Sequence, residues 1–212
     1  MIKATLAEQA YHYIIEQIKY GNLKEGTKVD ESEIVEELGI SRTPVREALL
    51  QLASDDVLVN IARKGFFVRR FGKKEKADAC TVLGHLDGLS AIYAAPLLKE
   101  EDFAALERMV VFLRCVNALQ KPFFLLLLGD MQEEFHAYYQ KLCPNHPLCE
   151  VIDYVNKKYV LSTFYIDAPQ LYKHLAIAND DHRKMVELMR ENKKDELYKL
   201  ISNHWGYKID ED

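Results

Sequence analysis

The sequence predicts a mainly α protein in two parts: an N-terminal winged helix-turn-helix over residues 1–72, then an all-helical antiparallel bundle over residues 73–212. Three observations lead there. Three amphipathic helical stretches precede two β-branched, aromatic runs; a glycine separates the second stretch from the third; and no strand pattern recurs beyond Phe71-Gly72. A chain of 212 residues can bury one large core or two small ones.

The first helix is expected over Ala4 to Tyr20, with Leu6, Ala10, Ile14, Ile15 and Ile18 facing inward. The second is expected over Lys28 to Leu38, capped by Asp30 or Ser32, with Ile34, Val35 and Leu38 as its apolar stripe. Gly39 then supplies the left-handed residue that a tight corner needs. The third helix follows, capped by Ser41 or Thr43 and tolerating Pro44 in its first turn, where backbone N–H groups lack helical partners anyway. Val45, Ala48, Leu49 and Leu52 fall at i, i+3, i+4 and i+7 and form its buried face. Arg42 and Arg46 share another face with Thr43 beside them. Such a helix suits a DNA major groove, because arginine bonds bidentately to guanine edges. The runs Val57 to Ile61 and Gly65 to Arg70 read as a hairpin whose tip holds Arg63, Lys64 and Gly65, a wing able to touch the DNA backbone or minor groove.

Composition restrains this reading. The formal charge is −5, and residues 1–72 carry 10 Lys/Arg against 11 Asp/Glu, so a non-specific nucleic-acid coat is excluded. Positive charge must instead be local to the third helix and the wing. Met1-Ile-Lys leads straight into an amphipathic helix, unlike a signal peptide, and the apolar run Phe123 to Leu128 is too short to span a bilayer. Cys80, Cys115, Cys143 and Cys149 show no disulfide framework, so the expected setting is cytoplasmic. The spacing Cys143-x-x-His146-x-x-Cys149 is not that of a common zinc knuckle, and no second ligand pair follows.

The run Glu37-Leu-Gly-Ile-Ser-Arg-Thr-Pro-Val-Arg-Glu-Ala-Leu49 is long and specific. With Gly26-Thr27, Glu33, Leu52 and Gly65-x-x-Val68, it makes residues 4–71 resemble the DNA-binding domain of the GntR transcription regulators. The resemblance implies operator contacts by Arg42, Thr43 and Arg46, with Gly65 in the wing; Ser41, Arg63 and Lys64 complete the DNA-binding candidates. Asp55-Asp56 stands where the family carries an acid followed by glycine, and a slightly altered turn is expected there.

Helices are expected at about 74–95, 99–119, 122–142, 147–164, 169–191 and 194–208, the fifth with a break at Ala178 to Asp181. Phe135-His136, then Asn145 and Pro147, then Asp181-His182, then His204, 22 residues beyond His182, resemble the FadR C-terminal domain in its shorter, VanR-like branch. In that family an Asp and three His hold one divalent metal beside an effector pocket. The implied ligands are His136, His182 and His204, suited to Zn²⁺, Ni²⁺ or Mn²⁺. Gln132 occupies the position of the family's Asp, a neutral and weaker fourth ligand. The implied effector is a small organic acid. Leu83 and Asp87 are its candidate contacts, and arginine is sparse in this half, with only Arg108, Arg114, Arg183 and Arg190.

The function expected is that of a homodimeric, effector-responsive regulator on a palindromic DNA operator, and not an enzyme. The alternatives are a metal-free sensor of an acyl or other ligand and, remotely, a metal-dependent hydrolase with Glu133 as its base.

Overall fold

The computed structural model of the chain describes residues 4–121, 125–159 and 168–205. These fall into two compact units. One runs through Gly72 and also takes in the end of a later helix from Asn156; the other holds the remaining helices.

In the first unit, α1 spans Leu6–Lys19. The Thr5 hydroxyl accepts from the Glu8 N–H at 3.1 Å, and the Glu8 carboxylate accepts from the Thr5 N–H at 2.7 Å, a reciprocal cap. Helix α2 spans Glu31–Leu38, with Asp30 accepting from the Ser32 N–H at 2.8 Å. Its start is later than the pattern suggests, because Lys28 is extended and bridges Phe67 of the wing. Gly39 ends α2 at φ 62°, the left-handed corner that reverses the chain within three residues. Helix α3 spans Arg42–Ser54 and begins at Ser41, whose side chain makes no capping bond. Strands β1, Leu58–Ile61, and β2, Gly65–Val68, pair antiparallel from Leu58↔Val68 to Ile61↔Gly65.

The core of this unit joins Ala10, Ile14 and Ile18 of α1 to Val45, Ala48, Leu49 and Leu52 of α3, closed by Leu58, Phe66 and Val68 of the wing. Leu6 departs from expectation and is exposed, because it opens α1 beyond the reach of this core. Asp56 takes the left-handed conformation at φ 61°, so an aspartate fills the role expected of glycine. Arg69 at 2.8 Å and Lys158 at 2.5 Å pair with its carboxylate.

In the second unit α4 spans Lys73–Ala94, followed by a 3-10 turn at Ala95–Leu97. Then come α5, Glu100–Ala118; α6, Leu125–Gln140; α7, His146–Tyr159; α8, Ala168–Arg190; and α9, Lys194–His204. The expected extensions to 164 and 208 fall outside the described residues beyond Tyr159 and Trp205. Helix α8 runs unbroken through Ala178 to Asp181. Asn179 bonds sideways to Gln132, and Asp181 to His204, so neither side chain is spent on a helix end.

Helix α4 packs on α9, α5 on α8, and α8 on α9. The α4–α9 contact is close because Gly84 and Gly88 lie one turn apart on the facing side. A Cβ at Gly84 would sit 2.7 Å from the Ser202 carbonyl oxygen, and one at Gly88 2.9 Å from the Tyr198 ring. Gly84→Ala gains up to ~1 kcal/mol of helix propensity. It also meets a backbone atom that cannot rotate away, and overpacking of this kind costs about 1–3 kcal/mol. The clash should therefore win, and thermal unfolding should show a lower midpoint. A higher midpoint would mean that α4 and α9 separate freely.

Candidate DNA-reading face and histidine centre

Helix α3 sorts its side chains by face. Val45, Ala48, Leu49 and Leu52 are fully buried, while Ser41, Arg42, Thr43 and Arg46 are exposed. At the wing tip Arg63 and Lys64 are exposed, and Gly65 is half-buried at φ 100°. Arg63 is itself left-handed at φ 63°, which tightens the turn. Among the described residues Arg42, Arg46, Arg63 and Lys64 have no ion-pair partner, although the unit as a whole is not basic. Four unneutralised cations and a threonine on solvent-facing surface are suited to phosphate and base-edge contacts.

In the second unit His136, His182 and His204 converge. They are the one group of three metal-ligating side chains found among the described residues, and their ligand atoms all lie within 4.8 Å of one another. They come from α6, α8 and α9, far apart in sequence. His136 and His182 are buried and His204 is half-buried. The two Nε2 atoms of His136 and His182 are 3.1 Å apart. His182 stacks on Phe135 with ring centroids 4.1 Å apart.

Asp87 of α4 organises this cluster. It is fully buried, and its Oδ2 lies 2.8 Å from His136 Nδ1 and accepts from Tyr139 OH and Trp205 Nε1, each at 2.8 Å. Its Oδ1 accepts from Gln140 Nε2 at 2.8 Å and Ser90 Oγ at 3.2 Å. Burial pushes the carboxyl upward, but the His136 charge and the bonds from His136, Gln140 and Trp205 outweigh it and hold the carboxyl at about 2. His136 thus turns Nδ1 to Asp87 and Nε2 to His182. His204 Nδ1 is held likewise by Asp181 at 3.1 Å. Burial, helped by the neighbouring imidazoles, drives His182 well below the ordinary imidazole value. Burial also lowers His204, against the opposing Asp181 bond. Both rings are therefore neutral at neutral pH, the form a metal ligand takes.

The donor set fits a divalent metal. Two nitrogens on a tetrahedral zinc stand about 3.3 Å apart, given bonds of about 2.0–2.1 Å, close to the spacing of His136 and His182. Carboxylates behind His136 and His204 are the usual orienting groups. Gln132 lies one turn before His136, but its Nε2 donates to Asn179 Oδ1 at 3.2 Å. Leu83 is fully buried, and Asp87 has both oxygens engaged by protein donors. Glu133 is exposed, and Cys143, His146 and Cys149 form no ligand group with the histidines.

Sequence reasoning missed Tyr139, Gln140 and Trp205 as part of the centre. Tyr139 and Gln140 follow His136 at i+3 and i+4 and so share its face, a signal that was available. That Asp181 serves His204 and not the adjacent His182 is a contact between helices and leaves no trace in spacing.

A winged helix-turn-helix with exposed cations on its third helix, joined to a helical unit with an internal polar centre, is an arrangement suited to a DNA-binding transcription regulator. The chain belongs to the family of FCD-domain proteins, whose pattern matches residues 78–206, and residues 6–68 match the gntR family of bacterial regulatory proteins. An uncharacterized HTH-type transcriptional regulator of Mycobacterium tuberculosis is 38% identical over 84 residues, covering 39% of this chain. The chain spans only 32% of that relative's length. The HTH-type transcriptional regulator McbR of Escherichia coli K12 is 29% identical over 161 residues, 72% of this chain and 68% of McbR. The solved E. coli McbR/YncC structure has the same fold, with a TM-score of 0.79 at 22% identity over 96% of this chain and 94% of that one. These families and relatives are regulators and not enzymes. No helix among the described residues is long and apolar enough to cross a membrane.

Asp87 gives a pH-dependent term of known sign. Its folded carboxyl sits below the ordinary 3.8, so it adds stability that is complete above about pH 4 and is lost as the pH falls through about 2. Urea unfolding should show the advantage of wild type over Asp87→Asn shrinking by about 1 kcal/mol between about pH 6 and about pH 3. A constant difference would mean that Asp87 is not held ionised.

Proposed function

We propose that this chain is a homodimeric transcription regulator that reads a palindromic operator and responds to a small organic acid bound in its helical domain. The observation that carries this reading is the division of α3, which buries four apolar residues completely and leaves Arg42, Thr43 and Arg46 exposed and without salt-bridge partners. Arg42 and Arg46 read base edges, Ser41 and Thr43 bond phosphate or base, and Arg63, Lys64 and Gly65 follow the backbone. Support for the dimer comes from α4, where Val82, Leu86, Leu89 and Tyr93 share one face that is largely exposed. A two-fold operator calls for a two-fold protein, and an apolar stripe is suited to isologous pairing.

In the helical domain His136, His182 and His204 would hold one divalent metal, Zn²⁺, Ni²⁺ or Mn²⁺, with the Gln132 carbonyl oxygen as a weak fourth donor while its amide nitrogen bonds Asn179. When bound, the metal supplies positive charge in the interior of the helical domain. Asp87 and Asp181 orient the rings from behind, so Asp87 acts through His136 and does not itself touch the effector. A metal-free form is also supported, because 3.1 Å between two Nε2 atoms suits an N–H···N bond from His182 to His136. A hydrolytic reading lacks a buried base, since Glu133 faces solvent.

Two measurements test these roles. Arg42→Ala and Arg46→Ala should each cost about 1–3 kcal/mol of operator affinity and relax base preference, read by fluorescence anisotropy on matched and mismatched duplexes. Unchanged affinity and selectivity in both would remove the DNA-reading assignment. Elemental analysis after Zn²⁺ or Ni²⁺ loading should find one metal per chain in wild type and none in His182→Ala. Absence of stoichiometric metal from wild type would leave the metal-free form.

A further inference from the structure

A cavity of about 540 Å³ lies between the C-terminal end of α5 and the first half of α8. Its lining includes Arg114, Asn117, Tyr172, Lys173, Asn179 and Asp180. Three of these are at least nine-tenths buried, and each has a polar atom without a partner: Asn117 Oδ1, Tyr172 OH and Asn179 Nδ2. Buried polar atoms are nearly always paired, so three orphans around one cavity point to a ligand. Arg114 and Lys173 are exposed and make no ion pair among the described residues. The volume is in the range of small-molecule sites.

We propose that this groove binds a hydroxy acid and that the Asn179–Gln132 pair links it to the histidine centre. The chemistry chooses the ligand class. Arg114 and Lys173 take one carboxylate. Asn117 Oδ1 accepts from a hydroxyl, Asn179 Nδ2 donates to one, the Tyr172 hydroxyl does either, and Asp180 accepts from a further one. An acyl chain would leave all of these polar groups unmet. Asn179 Oδ1 already accepts from Gln132 Nε2, so a ligand drawing on Asn179 pulls on α6 one turn before His136 and on α8 one turn before His182. The proposal rests on the reading that the helical domain binds an organic acid, and it places that acid outside the histidine cluster.

Isothermal titration of the full chain with D-gluconate, L-tartrate and citrate tests it, with sorbitol and hexanoate as the uncharged and hydroxyl-free comparators. At least one hydroxy acid should bind with unit stoichiometry, and both comparators at least about tenfold more weakly. Arg114→Gln and Lys173→Gln, both at exposed positions, should each weaken that acid by about tenfold or more. Tyr172→Phe keeps the packed ring and should weaken it several-fold. His182→Ala should retain binding and weaken it less than either groove substitution at Arg114 or Lys173 does. No binding of any of the three acids to wild type overturns the proposal. So does binding that survives the groove substitutions and disappears in His182→Ala; that result puts the acid at the histidines and leaves the regulator reading intact.

Discussion

A single buried carboxylate carries the architecture of the helical unit. Removing Asp87 from water costs several kcal/mol unless its charge and lone pairs are met. They are met by groups on three helices: Ser90 on its own α4, His136, Tyr139 and Gln140 on α6, and Trp205 at the end of α9. Each of those helices is thereby held in one rotational setting. The same setting turns the Nε2 of His136 toward His182 and brings His204, next to Trp205, up to the cluster. None of this is possible unless α9 lies almost in van der Waals contact with the α4 backbone. Gly84 and Gly88 allow that approach, and any Cβ there would push away the helix that supplies Trp205 and His204.

The first unit works by the opposite device. There the structure gathers apolar side chains and leaves charge outside. Helix α3 gives Val45, Ala48, Leu49 and Leu52 to the core, and the corner at Gly39 sets where its Arg-bearing face emerges. The wing adds its cations at a turn in which both Arg63 and Gly65 are left-handed. A chain with net charge −5 can present a local basic surface because its acidic residues, such as Glu31, Glu33, Glu36 and Glu37 on α2, occupy a different helix.

Gln132 stands one turn before His136, at the position where the sequence resemblance implies an aspartate. An aspartate at this position would add a negative charge beside the three imidazoles. A glutamine adds none, and it bonds Asn179 on α8. The centre therefore lacks a fourth, charge-cancelling protein ligand among the described residues, and the amide pair stands between the cluster and the groove along α5 and α8. Gln132 thus bears on both the electrostatics of the cluster and its connection to α8.

Much of this was legible without coordinates. The period of apolar residues placed α1, α3 and the bundle helices, and Gly39 marked the corner, because backbone sterics and burial are local properties. The three histidines were legible through the family's spacing. What the chain order could not express was convergence. Asp87 was readable only as an effector contact, yet its partners on other helices lie 49 to 118 residues away and hold its carboxylate in the interior. Asn179 looked like a helix break, yet α8 continues because the side chain has a partner on α6. Leu6 looked like core and is exposed, because helical period says which face a residue shares and not how far the neighbouring core extends. The sequence by itself determined the elements, their faces and the class of protein. Only the tertiary structure decided which polar groups meet, because the cost of burying a charge is offset by partners that folding alone brings together.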